Sequence, residues 1–139
     1  MKRTIGAITI GQSPRFDVVP EMEEILGDNI KVIQAGALDG LTKEEVLRFV
    51  PKEDDYILVS KLRDGTSVKF GESYILPRLQ GCIDKLENEG AELIVFICTG
   101  QFPPIFKTSK PILYPRNILH SVVPAVAPNG RIGVMNPDK

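Results

Sequence analysis

The chain has 139 residues, of which 42% are apolar and 25% are charged, and its formal net charge is -1 at pH 7. This balance is typical of one globular domain and excludes a wholly disordered chain. No cluster of Lys and Arg stands out, so nucleic acid is not an expected partner, and the apolar runs are too short to cross a bilayer. Two cysteines are too few for a disulfide scaffold, which favours a reducing cytoplasm.

The first third of the chain predicts strand, turn, helix and strand. Residues 4–10 are rich in small and β-branched side chains, and the turn 11–15 follows them. A helix is expected next, with Asp17 as its N-cap and with one apolar face: Val18, Val19, Met22, Ile25 and Leu26. Residues 30–35 predict the second strand, and a loop over 36–41 follows it.

The middle third predicts a short helix, a hairpin and a long helix. Thr42 and Glu45 have the spacing of a capping box. Strand-like runs at 56–62 and 66–70 flank Asp64-Gly65, which is a strong hairpin signal. Residues 72–88 keep apolar side chains at helical spacing, and a buried strand is expected over 93–98.

The last third predicts an amphipathic helix near 118–126 and the opening of a strand over 131–135. Strands that alternate with helices predict an α/β domain with three layers and a mostly parallel sheet, similar to one Rossmann or flavodoxin-like half. The hairpin around 56–70 would be an antiparallel insertion into it.

Cys98 stands at the end of a predicted buried strand and is followed directly by Thr99-Gly100. A thiol on a rigid strand end, beside turn amides, suits a nucleophile or a base that removes a proton from carbon. A free cysteine is also a small apolar residue that is commonly buried without any function. The residues alone leave these two interpretations evenly balanced.

The turn Gly11-Gln12-Ser13-Pro14-Arg15 follows the first strand and precedes a helix. Backbone amides, a hydroxyl and a guanidinium are what a carboxylate or phosphate ligand needs, although a plain turn with Arg15 in solvent is the alternative. Ligands of open parallel sheets bind beyond the carboxyl ends of the strands, so we expect this turn and the turn after Cys98 to face one crevice. The glycine patterns of dinucleotide and nucleoside-triphosphate sites are absent from the sequence.

Other reactive side chains carry weaker signals. His120 is the only histidine and is expected at the surface or boundary, while Cys82, inside a helix, is expected to pack in the core. No spacing of His, Cys and carboxylates predicts a metal site, so no metal is expected. Lys61, Arg63 and Lys69 around the hairpin either contact an anionic ligand or a partner, or, as such charges more often do, keep a sheet edge soluble.

Three motifs together resemble the AroM family: the turn 11–15 with Asp17 and Pro20-Glu21 after it, Cys98-Thr99-Gly100, and residues 130–134. The resemblance runs from the first strand to the last residue. AroM proteins are similar to the aspartate/glutamate/hydantoin racemase superfamily, in which two Rossmann-like halves enclose a cleft and each half supplies one cysteine. The resemblance therefore implies a cofactor-independent racemase or isomerase of a small carboxylate-bearing metabolite, with Cys98 as its proton-transfer thiol. The implied ligand-binding residues are Gly11, Gln12, Ser13, Arg15, Thr99 and Gly100.

The chain departs from these families in ways that shape the expected function. It is shorter than their members, so residues 1–128 are expected to form the amino-terminal domain and residues 129–139 to begin a second half that is absent. Pro103-Pro104 also stands where the racemases continue into a helix. Because the racemases use one cysteine from each half, this half alone has only one of the two thiols and is expected to show little activity. A non-catalytic anion-binding or regulatory module and an interaction domain with a structural Cys98 stay open, and an unpaired strand after Gly130 would favour a homo-oligomer.

Overall fold

The computed structural model describes residues 2–135, which form a parallel four-stranded sheet with flanking helices and a separate two-stranded antiparallel sheet. The large sheet has the strand order β2-β1-β5-β6, and the small one pairs β3 with β4. The elements in chain order are β1 (Arg3–Thr9), α1 (Val19–Leu26), β2 (Ile30–Gly36), α2 (Lys43–Val46), β3 (Ile57–Lys61), β4 (Ser67–Gly71), α3 (Glu72–Asn88), β5 (Leu93–Phe96), β6 (Ile112–Leu113) and α4 (Pro115–Val126).

The predicted α/β architecture is confirmed, and the hairpin lies where the Asp64-Gly65 signal placed it. Its strands pair from Ile57 opposite Gly71 to Lys61 opposite Ser67. Alternate side chains of the hairpin are buried in the common core, as expected for a sheet with one covered face: Leu58, Leu62, Val68 and Phe70. The hairpin is thus a sheet of its own that packs on the domain instead of extending the large sheet.

Helix α3 supplies one wall of the core. The helix packs against β1 and β2 of the large sheet and against β4 of the hairpin. Its buried residues recur at helical spacing: Ile75, Leu79, Cys82, Ile83 and Leu86. The expected packing role of Cys82 is confirmed, because its side chain is buried and its thiol is free. Desolvation by this burial raises the pKa of Cys82 to about 11, so the thiol stays protonated.

Local capping signals were right in one helix and wrong in another. The capping box of Thr42 and Glu45 is present at α2. Asp17, however, does not cap α1, which begins at Val19 without a side-chain cap. The Asp17 carboxylate binds Arg15 instead, because a bidentate ion pair competes with a cap for the same oxygens. Of the apolar face predicted for α1, only Val19 is buried, and Ile25 is 86% exposed.

The carboxyl-terminal part of the described chain differs most from expectation. Strand β5 ends at Phe96, two residues before Cys98. Helix α4 forms, but none of its residues is buried, and the strand predicted over 131–135 is wrong, since this segment is exposed and pairs with no neighbour among the described residues. A strand needs a neighbouring strand to pair its backbone groups, and no described strand lies beside this segment. Residues 136–139 of the predicted second half lie outside the described residues.

Within residues 2–135, no helix combines the length and the apolar character that crossing a membrane requires.

Candidate anion-binding site

The turns that follow β1 and β5 leave the sheet at the same edge. The two strands are parallel neighbours, with Ile8 opposite Phe96, and the amide of Ile97 donates to the Ile8 carbonyl at 2.7 Å. The structure therefore brings Arg15 and Cys98 together, and the Arg15 charge acts on the pKa of the Cys98 thiol. This is the edge at which ligands of open parallel sheets bind.

The Cys98 sulfur is partly buried and packs against the core. Desolvation raises the pKa of this thiol, while the amide of Gly100, which donates to Sγ at 3.3 Å, and the Arg15 charge lower it without outweighing burial. The expected contact with a turn amide thus exists. Because the amide and the Arg15 charge offset the desolvation only in part, Cys98 remains a protonated thiol near neutral pH.

The carboxylate of Asp39 holds the turn after β1 in place through several hydrogen bonds. Its carboxylate accepts from the Ser13 amide at 2.7 Å, the Ser13 hydroxyl at 2.6 Å and the Gly36 amide at 2.8 Å. Arg63 lies 3.8 Å from the same carboxylate. Arg78 of α3 also donates to the Asp39 backbone oxygen at 2.8 Å. The Ser13 hydroxyl, predicted to bind a ligand, is used inside the protein in this arrangement, and Ser13 is buried.

Gln12 ties the same turn to two other segments. Its side-chain amide donates to the carbonyls of Leu38 at 3.2 Å and Leu41 at 2.8 Å, and its Oε1 accepts from the Arg63 amide at 2.8 Å. These bonds hold the turn between the loop after β2 and the end of the hairpin. Gln12 therefore positions the site as well as lining it.

Two glycines allow the segments to approach this closely. A Cβ on Gly11 would lie 2.5 Å from the Lys61 carbonyl oxygen. A Cβ on Gly36 would lie 2.6 Å from both the Gly11 carbonyl oxygen and the Ser13 amide nitrogen. Both distances are too short for any side chain, so the meeting of β1, β2 and the hairpin requires glycine at these positions.

Arg15 is held between the sheet and Asp17. Its guanidinium donates to the two Asp17 oxygens at 2.7 and 2.8 Å and to the Thr9 hydroxyl at 3.2 Å. Its backbone amide donates to Gln34 Oε1 at 2.8 Å. The bond to Asp17 raises the pKa of Arg15, and the same contact lowers the pKa of Asp17 to about 2. Both groups are charged at any physiological pH.

A groove of about 200 Å³ opens beside this pair, and we call it the basic groove. Arg63 is fixed in its wall, because Nε and Nη2 donate to the Ser13 carbonyl at 3.0 and 2.6 Å. Among the residues that the structure describes, three cationic side chains and one carboxylate line this concave surface. The residues that line it are Gln12, Pro14, Arg15, Phe16, Asp17, Lys61, Leu62, Arg63 and Gly65.

The predicted site residues separate into three places. Gln12 and Arg15 line the basic groove, while Gly11 and Ser13 are buried behind it. Thr99 is exposed in the turn after Cys98, and Gly100 lines a second, larger cavity. The turns share an edge of the sheet, but the basic groove is lined by residues of the first turn and the larger cavity by residues of the second.

Sequence reasoning missed Asp39 and underestimated Lys61 and Arg63. A usable signal for Asp39 was present, because this carboxylate follows the end of β2, the strand beside β1. Strand-end residues of adjacent parallel strands meet at one edge, by the same argument that linked Arg15 to Cys98. No comparable sequence signal pointed to Lys61 and Arg63, because their position depends on how the hairpin folds back on the sheet.

Among the described residues, no three side chains of His, Cys, Asp or Glu gather as metal ligands would. His120 lies exposed on α4.

Fold and site together define an α/β protein with a cationic groove beyond the carboxyl ends of a parallel sheet. The model of the AroM family, described as AroM protein, matches residues 5–139, and the chain belongs to this family. Neither the search of curated proteins nor the search of solved structures found a match.

Proposed function

We propose that the chain binds a small metabolite carrying a carboxylate or phosphate in the basic groove. The observation that carries this proposal is the convergence of Arg15, Lys61 and Arg63 on one concave surface, where Asp17 is the one carboxylate among the described lining residues. Fixed cations in a partly enclosed groove attract an anion more strongly than the same charges in open solvent. Arg63 in particular is held by two bonds to the Ser13 carbonyl and needs no reordering to meet a ligand.

The test is a calorimetric titration of the full chain with inorganic phosphate and with malonate. Lys61→Gln removes a cation that lines the groove, and Lys31→Gln removes an exposed cation of β2 as the matched control. We expect saturable binding of at least one probe, weakened about fivefold by Lys61→Gln and unchanged by Lys31→Gln, since one partly screened charge contributes up to about 1 kcal/mol. No saturable binding, or equal effects of both variants, would reject the proposal.

A second candidate function is proton transfer by Cys98 in a racemase or isomerase of a small carboxylate-bearing metabolite. This role is supported by two groups that act on the Cys98 sulfur, the Arg15 charge and the Gly100 amide. Because burial keeps the thiol protonated, Cys98 would return a proton to carbon after another base has removed one from the opposite face. The thiolate left on Cys98 would be stabilised by Arg15.

Two-base chemistry needs a second acid–base group on the other side of the substrate. Cys82 lies on α3 and lines a different cavity with Asp39 and Arg78. We therefore expect this chain alone to exchange substrate protons slowly, if it is a racemase half.

Solvent deuterium exchange tests the catalytic candidate. The full chain is incubated in D2O with those amino or hydroxy acids that bind in titration, and incorporation at the α-carbon is followed by NMR. Slow exchange that Cys98→Ala abolishes and Cys82→Ala preserves would support proton transfer. Absence of exchange with every bound acid, while anion binding persists, would leave a non-catalytic binding module.

We propose the cytoplasm as the compartment, since Cys82 and Cys98 are both free thiols. Self-association also stays a prediction. It is supported by apolar side chains of α4 that are about half exposed, among them Ile118, Leu119 and Val122. Sedimentation equilibrium at high protein concentration tests it, and a monomer throughout would count against it.

A further inference from the structure

A second cavity, of about 460 Å³, opens beyond the carboxyl ends of β5 and β6. We call it the aromatic cavity. It is lined by Gly100, Gln101, Phe102, Pro104, Phe106, Thr108, Ile112, Tyr114, Arg116 and Asn117. It shares no lining residue with the basic groove, so it is a separate site with a chemistry of its own.

One buried ring organises the wall of this cavity. Phe96 is fully buried, and three partly exposed rings pack around it, with centroid distances of 4.9 Å to Phe102, 5.8 Å to Phe106 and 5.1 Å to Tyr114. These separations are typical of favourable aromatic contacts. The rings that line the cavity are thus held from behind by a residue of the sheet.

The loop that carries part of this wall is fastened to α3. Gln80 accepts from the Lys107 amide and donates to the Lys107 carbonyl, both at 2.8 Å. Glu87 accepts from the Ser109 amide at 3.0 Å and from its hydroxyl at 3.2 Å. A loop fixed in this way keeps the cavity open without a ligand, which lowers the ordering cost of binding.

The polar end of the cavity is cationic. Arg116 and Asn117 lie in the first turn of α4, which contains no acidic residue. Within residues 2–135, Arg116 forms no ion pair or side-chain hydrogen bond, although its side chain is partly buried. Burial raises the pKa of Tyr114, so its hydroxyl remains a donor. A guanidinium and an amide next to three aromatic rings, one of them the phenol of Tyr114, complement a ring that bears an anionic group.

We propose that the aromatic cavity binds a small planar ring compound with an anionic substituent, its ring against Phe102, Phe106 and Tyr114 and its charge toward Arg116. Size agrees with this class, because a dry cavity of roughly 150 Å³ already accepts benzene and small-molecule sites start near 300 Å³. The proposal does not rest on the function of the basic groove.

Benzoate is the probe, and NMR titration of the full 15N-labelled chain is the measurement. Cyclohexanecarboxylate keeps the charge but loses the flat ring, and benzyl alcohol keeps the ring but loses the charge. We expect saturable benzoate shifts at the amides of Gly100, Phe102 and Asn117, with both comparators binding several-fold more weakly. Shifts confined to Arg63 and Gly65 would place benzoate in the basic groove and overturn the proposal, as would equal affinity for all three probes.

Two matched pairs of variants separate binding from folding. Arg116→Gln should weaken benzoate at least fivefold and leave benzyl alcohol unchanged, whereas Arg48→Gln, in the exposed turn after α2, should change neither. Tyr114→Leu should weaken both ring probes, and Tyr56→Leu, at a half-exposed position, should not. Thermal melts verify that each variant is folded. Equal effects within either pair would reject the site.

Lys61→Gln keeps the two binding proposals distinguishable. It should weaken phosphate or malonate in the basic groove and leave benzoate binding in the aromatic cavity unchanged. Weakened benzoate binding in this variant would contradict the assignment of the ring to the aromatic cavity.

Discussion

The guanidinium of Arg15 holds the carboxylate of Asp17 through two hydrogen bonds of 2.7 and 2.8 Å, directly in the wall of the basic groove. A carboxylate of the protein thus already occupies the donors that a ligand carboxylate would use. Asp17 is half exposed, so it can move away without disrupting the core. The pair makes Arg15 the cation of the groove for which an anion has to compete with a carboxylate of the protein.

Removing this competing charge should strengthen anion binding. Asp17→Asn keeps the side-chain shape but abolishes the ion pair, and we expect the affinity for phosphate or malonate to rise about fivefold, as an exposed ion pair contributes up to about 1 kcal/mol. Calorimetric titration measures the change. Asp54→Asn, at an exposed position away from the groove, is the control and should have no effect. Weaker binding by Asp17→Asn would mean that Asp17 supports the ligand instead of competing with it.

The same ion pair should contribute to acid sensitivity. The Arg15 bond lowers the pKa of Asp17 from 3.8 to about 2, so the folded state favours the charged carboxylate. Its stabilisation is complete above the unfolded value of 3.8 and is lost as the pH falls toward 2. The difference in urea midpoint between the natural chain and Asp17→Asn should therefore be constant from pH 8 to 5 and shrink below pH 4. A difference that stays constant down to pH 3 would contradict this account.

Asp39 should matter more for stability than any other carboxylate of the site. Asp39→Ala leaves the amides of Ser13 and Gly36 and the Ser13 hydroxyl without their acceptor, and we expect a loss of about 3 kcal/mol in the free energy of unfolding. Ser13→Ala removes one of these bonds and should cost about 1 kcal/mol. Urea denaturation measures both, with Asp54→Ala as the near-neutral control. A cost for Asp39→Ala no larger than that of the control would show that these hydrogen bonds contribute little.

Two glycine substitutions should have opposite signs. Gly36→Ala places a Cβ against the Gly11 carbonyl and the Ser13 amide, and overpacking of this kind costs about 1–3 kcal/mol. Gly81 lies exposed in α3 with open space around its Cβ position, so Gly81→Ala should stabilise by about 0.5–1 kcal/mol. Thermal unfolding of the two variants in parallel checks the contrast. Equal stability of the two would argue against the close approach of the turn and β2.

The two thiols should react at different rates. Burial raises the pKa of Cys82 to about 11. Burial also raises the pKa of Cys98, but there the Gly100 amide and the Arg15 charge offset part of this effect. Iodoacetamide at pH 8.5, followed by peptide mass spectrometry, should therefore label Cys98 first. Arg15→Gln should slow Cys98 labelling and leave Cys82 unchanged. If both thiols react equally slowly, or if Arg15→Gln has no effect, Cys98 is a structural residue.

Features that depend on neighbours along the chain were predictable. The hairpin followed from Asp64-Gly65 between two strand-like runs, the short helix from the capping box, and α3 from its apolar period. In each case, a few adjacent residues contain the whole physical signal, because turn geometry, caps and helical spacing are local. The shared edge of Arg15 and Cys98 also followed, since parallel order alone brings those strand ends together.

Which groups the polar and aromatic side chains contact could not be predicted from the sequence, because these contacts form only in the folded domain. Asp17 binds Arg15 rather than capping a helix, Asp39 holds a turn 26 positions away, and Phe96 gathers rings from a loop and from the start of α4. The order of residues along the chain does not show which of these side chains lie close together in the folded protein. They arise when burial of the apolar faces of β1, the hairpin and α3 sets which segments meet, and hydrogen bonding then assigns each buried polar group the partner within its reach.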